Sequence, residues 1–265
     1  MEKIVINIDS RFREISKYPN SEHFVLNLNE QYKNIDFIKM TTIEIPNNFY
    51  IFSSARKSNY FMIDDVFGVL TKVTISEGNY SIDELITEIN SKILATFGAQ
   101  LYEIATDDKG GIILGKPGSG TFSVDFSNDN SQYKSLGYHL GFRKATYDVV
   151  DSVIAESLCD VNGENYIFIK INDYGNLIIN PVLGIKALAK IVFYQNKGGF
   201  TFDNNDDLYA KYIFRQPVNV KRLEIELLDA YGNRIDNRNF DYSLTLEIGQ
   251  FYKKEEYLNK LNHIF

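Results

Sequence analysis

The sequence contains no tryptophan and only one cysteine among its 265 residues. Because Cys159 has no second cysteine to pair with, the chain forms neither an intrachain disulfide nor a zinc knuckle. No apolar run approaches the roughly 20 residues that a membrane-spanning helix needs, so we expect no transmembrane segment. The formal net charge is −7. This charge argues against direct binding of nucleic acid, which depends on clustered lysine and arginine side chains.

Phenylalanine and tyrosine, by contrast, are abundant and make up the whole aromatic content of 14%. Aromatic and β-branched side chains favour strands. Alternation of apolar and polar residues, clearest at 223–227 and 244–247, predicts strands with one buried face. We expect strands at residues 4–8, 24–28, 35–45, 59–64, 69–76, 101–106, 111–115, 121–126, 165–171, 187–194, 211–215, 220–228 and 243–249. Short strands at this spacing, separated by Gly, Asn and Asp, predict a β-sandwich or barrel.

One helix interrupts this β pattern. Ser81 and Glu84 form a capping box, in which each side chain bonds the other residue's backbone amide. The apolar residues that follow are spaced by three and four and predict one buried stripe: Ile82, Leu85, Ile86, Ile89, Ile93, Leu94 and Phe97. Gly98 is suited to end the helix. With the strands after it, the helix predicts a small α+β insertion at 78–145, between β segments at 1–77 and 146–265.

Two segments resemble ligand-binding motifs but lack residues that those motifs require. Residues 110–116, GGIILGK, have the G-x4-G-K spacing of a phosphate loop, but Pro117 replaces the hydroxyl residue that binds magnesium. We interpret the segment as a hairpin strand. Residues 203–207, DNNDD, resemble the start of a calcium loop, yet Leu208 and Phe214 replace its glycine and its final glutamate. We interpret them as a solvated loop, with weak calcium binding as the alternative.

The other reactive side chains form no recognisable site in the sequence. His23, His139 and His263 lie far apart, and none has a second His or Cys at metal-ligand spacing. Cys159 has no catalytic motif around it and fits a small buried apolar residue. The acidic pairs at 64–65 and 107–108 fall where turns are expected, and Asp favours turns. We therefore predict a protein that is not an enzyme, with no catalytic residue, metal or cofactor.

Four segments, taken in order, resemble a single protein family. They are 8–13 (IDSRFR) with 18–20 (YPN) and Phe24, 43–50 (IEIPNNFY), 77–85 (EGNYSIDEL) with 136–142 (LGYHLGF), and 227–234 (LLDAYGNR) with 240–248 (FDYSLTLEI). Together they resemble the single jelly-roll penton, or vertex, and minor capsid proteins of large double-stranded DNA viruses. Glu77 and Ala230 stand where that family often has proline.

The resemblance implies a mainly β fold, a single jelly-roll β-sandwich with a small α+β insertion. It also implies a structural role in the virion: the penton, a homopentamer at the icosahedral vertices. Subunits around a five-fold axis make heterologous contacts that close into a ring. The expected partners are other copies of the chain and the neighbouring major and minor capsid proteins. The start of the chain lacks a signal-peptide pattern, so we expect synthesis in the host cytoplasm and a final location in the virion capsid.

An alternative function is a virion-associated β-sandwich that binds glycan or attaches the particle to a cell. The lack of tryptophan counts modestly against a sugar-binding face. A pentameric mass would favour the penton, and glycan binding by a monomer would favour the binding module.

The end of the chain is the candidate assembly segment. It carries apolar residues at helical spacing: Tyr257, Leu258, Leu261, Ile264 and Phe265. A short amphipathic element is marginal alone and needs a surface to pack on. We interpret the tail either as docked on its own β domain or as an arm that packs against a neighbouring capsid subunit.

Overall fold

The computed structural model describes residues 2–127, 132–172, 174, 177–193, 199–203 and 211–251. The elements in chain order are β1 (Glu2–Asp9), β2 (His23–Pro46), β3 (Tyr60–Asp64), β4 (Leu70–Thr74), α1 (Ile82–Phe97), β5 (Glu103–Thr106), β6 (Gly111–Gly115), β7 (Thr121–Asp125), α2 (Leu136–His139), β8 (Thr146–Val150), β9 (Ser152–Leu158), β10 (Tyr166–Ile171), β11 (Ile178–Asn180), β12 (Ile185–Ala187), β13 (Ala189–Val192), β14 (Phe200–Asp203), β15 (Tyr212–Leu228) and β16 (Ser243–Gln250). The prediction of a mainly β protein is confirmed. Neither α-helix in these ranges has the length and apolar character to cross a membrane.

The chain separates into two compact units. The discontinuous unit contains residues 1–49 and 164–265, and the central unit contains residues 50–163. The insertion predicted at 78–145 lies within the central unit, which begins earlier and ends later. The physical reason is strand pairing: β3 and β8 both pair with β7, and β9 pairs with β6.

The discontinuous unit contains a two-stranded sheet of β11 and β12 and one larger antiparallel sheet. Its strand order is β1-β16-β2-β15-β10-β13, with β14 also paired to β2. One face is a continuous apolar core, in which Phe24, Ile169 and Leu246 are fully buried. The part of this unit that the structure describes has no α-helix to cover that face. The sheet must therefore curl over its own core, and this curled antiparallel arrangement is consistent with the predicted jelly roll.

Two long strands, β2 and β15, make the curl. Strands expected separately at 24–28 and 35–45 form the single strand β2, and those at 211–215 and 220–228 form β15. Their pairing shifts register several times between Ile213 and Arg222. Such irregularities bend a strand and increase its twist. Pro217 lies inside this irregular stretch, where a residue without an N–H donor is tolerated.

The central unit contains two sheets and helix α1. The sheets have the orders β4-β3-β7-β8 and β5-β6-β9. The predicted capping box between Ser81 and Glu84 is confirmed, and Gly98 ends α1 with a φ of 71°.

The predicted apolar stripe of α1 is confirmed except at Leu94. Leu85, Ile89 and Ile93 are fully buried, whereas Leu94 is 49% exposed. Each residue turns a helix by roughly 100°. That rotation carries Leu94 from the buried position of Ile93 to the outer side of α1.

Candidate functional site

The segment that resembles a phosphate loop is a strand, as predicted. Residues 111–115 form β6, which pairs with β5 on one side and β9 on the other. The turn before it is held by Asp107, whose Oδ1 accepts hydrogen bonds from the backbone N–H groups of Lys109 and Gly111 at 2.8 and 2.7 Å. No helix follows Lys116 within the described residues up to 127. The segment therefore lacks the helix N-terminus and hydroxyl residue with which a phosphate loop binds its ligand.

Of the remaining candidates that the structure describes, Cys159 and His139 lie in the central unit and His23 lies in the discontinuous unit. Cys159 is half-buried, and this burial raises the pKa of its thiol to about 11, so the thiol stays protonated at neutral pH. His139 is buried, and its Nδ1 lies 3.1 Å from the carbonyl oxygen of Asp160. His263, most of the calcium-like loop and all five candidate residues of the C-terminal tail lie outside the described residues.

A charged row that the sequence patterns did not reveal crosses the outer face of the discontinuous unit's sheet. Glu226 on β15 pairs in register with His23 on β2 and with Lys170 on β10. His23 Nε2 lies 2.9 Å from Glu224 Oε1. One ligand atom from each of His23, Glu224 and Glu226 lies within 4.8 Å of the other two. The alternation of Glu224 and Glu226 on a predicted strand was a usable sequence signal for the two acids. His23 lies 201 positions before Glu224, so no local pattern could have connected it to them.

Basic side chains already neutralise the central carboxylate of this row. Lys170 Nζ donates to Glu226 Oε2 at 2.9 Å, and Arg234 Nε donates to Glu226 Oε1 at 2.9 Å. Desolvation raises the pKa of Glu226, but the hydrogen bonds from Lys170 and Arg234 outweigh it and lower that pKa. A divalent cation bound to these acids would have to displace two cationic partners. The row therefore fits a network of ion pairs better than a metal site.

Lys170, Glu224 and Glu226 of this row line an open polar groove of about 790 Å³. The groove is lined by Lys170, Asn172, Tyr174, Asn219, Lys221, Arg222, Glu224, Glu226 and Arg234. Four lining side chains are cationic and two are anionic, although the chain as a whole carries a charge of −7.

A second polar cluster joins the first and last segments that carry the family resemblance. Its centre is Arg13, whose side chain is 5% exposed. The guanidinium donates to Asp241 Oδ1 at 2.7 Å and to Asn239 Oδ1 at 3.0 Å. It also donates to the backbone oxygens of three residues, Ser10, Tyr18 and Pro19. A guanidinium has five N–H donors, and these five contacts use all of them. We name Ser10, Arg13, Asn239 and Asp241 the Arg13 cluster.

Backbone pairing extends this contact. Ser10 N–H donates to the Tyr242 carbonyl at 2.9 Å, and Tyr242 N–H donates to Ser10 Oγ at 3.0 Å. Ser10 Oγ in turn donates to Asp241 Oδ1 at 2.7 Å. Arg13 and Asp241 are 228 positions apart, so no local pattern could have predicted the pair. The contact connects the exit of β1 to the entry of β16.

The third of the four segments that carry the family resemblance, 77–85 with 136–142, also has a packing role. A Cβ atom at Gly137, in α2, would lie 2.2 Å from Phe126 Cγ, and one at Gly141 would lie 2.0 Å from the Ser157 carbonyl oxygen. Gly141 also has a φ of 101°, which side chains rarely allow. Gly137 lets α2, and Gly141 lets the turn after it, approach neighbouring residues closely. In this part of the central unit, these motif residues therefore have a structural role.

No protein-family model matches the chain, and no curated protein matches it in sequence. Solved structures match over almost its whole length. The crystal structure of selenomethionine-labelled mavirus penton protein covers 95% of this chain and 100% of its own, with 9% identity and a TM-score of 0.47. A chain of the 3.5 Å cryo-EM structure of the Sputnik virophage covers 94% of this chain and 98% of its own, with 11% identity and a TM-score of 0.43. At these values the likeness does not assign a function to this chain.

Proposed function

We propose that the chain is a structural capsid protein, the penton of a large double-stranded DNA virus, which forms a homopentamer at the icosahedral vertices. The observation that carries the proposal is the Arg13 cluster. Ser10, Arg13 and Asp241 come from the first and last of four segments that occur in the order typical of that family, and Asn239 lies between the two parts of the last segment. In the structure they join into a buried contact that connects two strands of a curled antiparallel sheet.

The electrostatics support a structural role over catalysis. Arg13 is paired with Asp241, and Glu226 is paired with both Lys170 and Arg234. A catalytic site needs a nucleophile or base that is positioned to react with a substrate. In these two clusters the charged groups form their hydrogen bonds and ion pairs with other groups of the protein itself. Their arrangement stabilises the sheet and its connections.

The test is the mass of the purified full-length chain. Native mass spectrometry should give five times the 30.5 kDa of one chain. Particles reconstituted with the neighbouring capsid proteins should carry the protein at their vertices. A monomer at all accessible concentrations that binds glycans on an array would contradict the penton and support the binding module instead.

A further inference from the structure

Two neighbouring basic residues of β15, Lys221 and Arg222, both face the outer side of the sheet. Successive residues of a regular strand point to opposite faces, so one of the two would ordinarily point into the core. Here the buried residues are Val220 and Leu223, and the two basic residues between them are exposed. The pairing of β15 with β2 shifts register between Val220 and Arg222. Such a shift redirects side chains, and in this strand both cations line the polar groove.

Both cations keep donors that can bind a ligand. The Arg222 side chain is 61% exposed, and its Nη2 lies 3.7 Å from Glu224 Oε2, which is too far for a hydrogen bond. Among the residues that the structure describes, neither Lys221 Nζ nor the Arg222 guanidinium donates a hydrogen bond to another side chain. A lysine offers three N–H donors and an arginine five. The groove therefore presents two charged groups that are open to a ligand.

The floor of the groove is fixed before any ligand binds. Glu226 is held by its two ion pairs, and Asn172 bonds the backbone on both sides of Leu223. The Asn172 Nδ2 donates to the Arg222 carbonyl at 3.1 Å, and its Oδ1 accepts from the Glu224 N–H at 2.5 Å. A site that is ordered before binding loses less entropy on association. These bonds hold in place the backbone that carries the two cations.

The charge and the size of the groove indicate the class of its ligand. The lining has four cationic and two anionic side chains, an excess of positive charge on a chain whose net charge is −7. A local positive potential of this kind attracts anions. The volume of about 790 Å³ lies within the roughly 300–1,000 Å³ of ligand sites, and a single inorganic anion would leave most of it empty. The groove therefore fits an extended ligand with several anionic groups.

The two carboxylates in the groove favour a peptide over a nucleic acid. An acidic peptide brings carboxylates for the cations and also backbone N–H donors. Glu224, which is 39% exposed beside His23, can accept such donors because a carboxylate has about four acceptor sites. A nucleic acid backbone has a phosphate at every nucleotide and no N–H donor. It would bring phosphates against Glu224 and Glu226, and like charges at short distance repel.

We propose that this groove binds an acidic peptide segment of a partner chain. Carboxylates of the segment pair with Lys221 and Arg222, and its backbone N–H groups donate to Glu224. Arg222 can hold one carboxylate through two parallel hydrogen bonds. The chain itself contains a segment with this chemistry, 203–207 (DNNDD), so a second copy is one source of it and a neighbouring capsid protein is the other. The inference goes beyond the proposed function and does not require the pentamer.

The experiment is calorimetric titration of the full-length chain with a hexa-aspartate peptide. Binding should be saturable and should weaken as salt is added, because the contacts are exposed ion pairs. The Lys221→Gln and Arg222→Gln double variant should bind about tenfold more weakly, since it lacks both charge-assisted contacts. Its melting temperature should be unchanged, because both side chains are exposed. Lys109→Gln is the matched control: it removes an exposed cation of the central unit and should bind like the wild type.

Two further titrations identify the ligand class and its source. A hexathymidylate of similar charge should bind more weakly than hexa-aspartate. The Asp206→Asn and Asp207→Asn double variant removes most of the charge of the chain's own acidic segment. If this variant binds hexa-aspartate more tightly than the wild type does, the acidic segment of a second copy competes for the groove. Equal binding by the two proteins assigns the groove to a different capsid protein.

The outcomes separate this inference from the proposed function. It is overturned if neither the wild type nor the Asp206→Asn and Asp207→Asn variant binds hexa-aspartate at millimolar concentration. It is also overturned if the Lys221→Gln and Arg222→Gln variant binds as tightly as the wild type, or if hexathymidylate binds more tightly than the peptide. A pentameric wild type with any of these results leaves the penton proposal standing. A monomeric wild type that binds hexa-aspartate through the two cations contradicts the penton alone.

Discussion

Arg13 shows how single residues hold this fold together. A buried charge is tolerated only where it is paired and hydrogen-bonded. The Arg13 guanidinium meets this condition through two side chains and three backbone oxygens. Three of its five partners lie at or before residue 20, and two lie after residue 238. One side chain therefore fixes two loops that local interactions alone would leave independent.

The variant Arg13→Leu should lower the free energy of unfolding by about 3 kcal/mol, the lower end for a broken buried pair. The lower end applies because Asp241 is itself 38% exposed, and water can replace part of what it loses. Urea unfolding at pH 7 measures the change. Arg11→Leu is the control: Arg11 pairs with Asp9 but is 68% exposed, so its removal should change the unfolding midpoint far less. Equal effects from the two variants would contradict a special role for Arg13.

Glu226 predicts a pH dependence. Its pKa lies below the ordinary value of 4.5, because desolvation, which raises it, is outweighed by Lys170 and Arg234. A carboxylate with a lowered pKa stabilises the folded state fully above its unfolded pKa, and the contribution is lost as pH falls through the folded pKa. Glu226→Gln should therefore be less stable than the wild type at pH 7, and the difference should shrink below pH 4.5. Urea unfolding between pH 7 and pH 3.5 measures it. A difference that stays constant over this range would contradict the assigned ion pairs.

At the scale of elements, local sequence patterns predicted those helices and strands that local interactions determine. The capping box and stripe predicted α1 with its observed bounds, and the apolar run at 111–115 predicted β6 with its observed bounds. Local sequence patterns did not predict β8, β9, β11, β12 and β14. The alternation of buried Tyr147 and Val149 was a usable signal for β8. In β9 exposure alternates along the strand, but the apolar residues Ile154 and Leu158 lie on the exposed face. The apolar residues of β9 therefore show no period of two in the sequence.

Two long strands were predicted as four because polar residues interrupt their patterns. Residues 29–34 of β2, NEQYKN, carry little apolar character, and Pro217 breaks β15. Neighbouring strands nevertheless keep both segments extended, since β2 pairs with β14, β15 and β16. Pairing partners so distant in sequence leave no trace in a local pattern. The strand order and the Arg13 cluster could therefore not be predicted from the sequence.

Helix α1 offers a matched pair of variants. Leu85→Asp should destabilise the protein by more than about 4 kcal/mol, because it places a charge at a fully buried position. Leu94→Asp puts the same charge at a position 49% exposed, near the C-terminus of α1. This variant should lower the free energy of unfolding by less than about 1 kcal/mol, mainly because the new charge interacts unfavourably with the helix dipole. Thermal unfolding of both variants measures the difference. A similar loss in both would mean that α1 buries a different face.

For the whole molecule, the division into two units gives boundaries that can be tested. We propose that the inserted domain extends over residues 50–163, since this range has its own apolar core. A fragment of 50–163 should unfold cooperatively and show both helix and strand by circular dichroism. A fragment of 78–145 should not fold, because β7 would lose β3 and β8, both of its pairing partners. Cooperative unfolding of the shorter fragment would support the narrower boundaries.

The C-terminal tail supplies the last prediction. Residues 252–265 follow Phe251, which is buried and whose N–H donates to the Asn34 carbonyl at 3.0 Å. The sheet pairing of β16 ends at Gln250, so removing the tail leaves β16 intact. If the tail is an assembly arm, the chain truncated after Phe251 should keep its melting temperature and lose pentamer formation or incorporation into particles. The variant Leu261→Asp in the full chain should have the same effect, because a charge disrupts an apolar contact without shortening the chain. Differential scanning calorimetry and native mass spectrometry on the same samples measure both quantities. If the truncated chain melts at a lower temperature as a monomer, the tail docks on its own β domain, and the interpretation as an assembly arm is wrong.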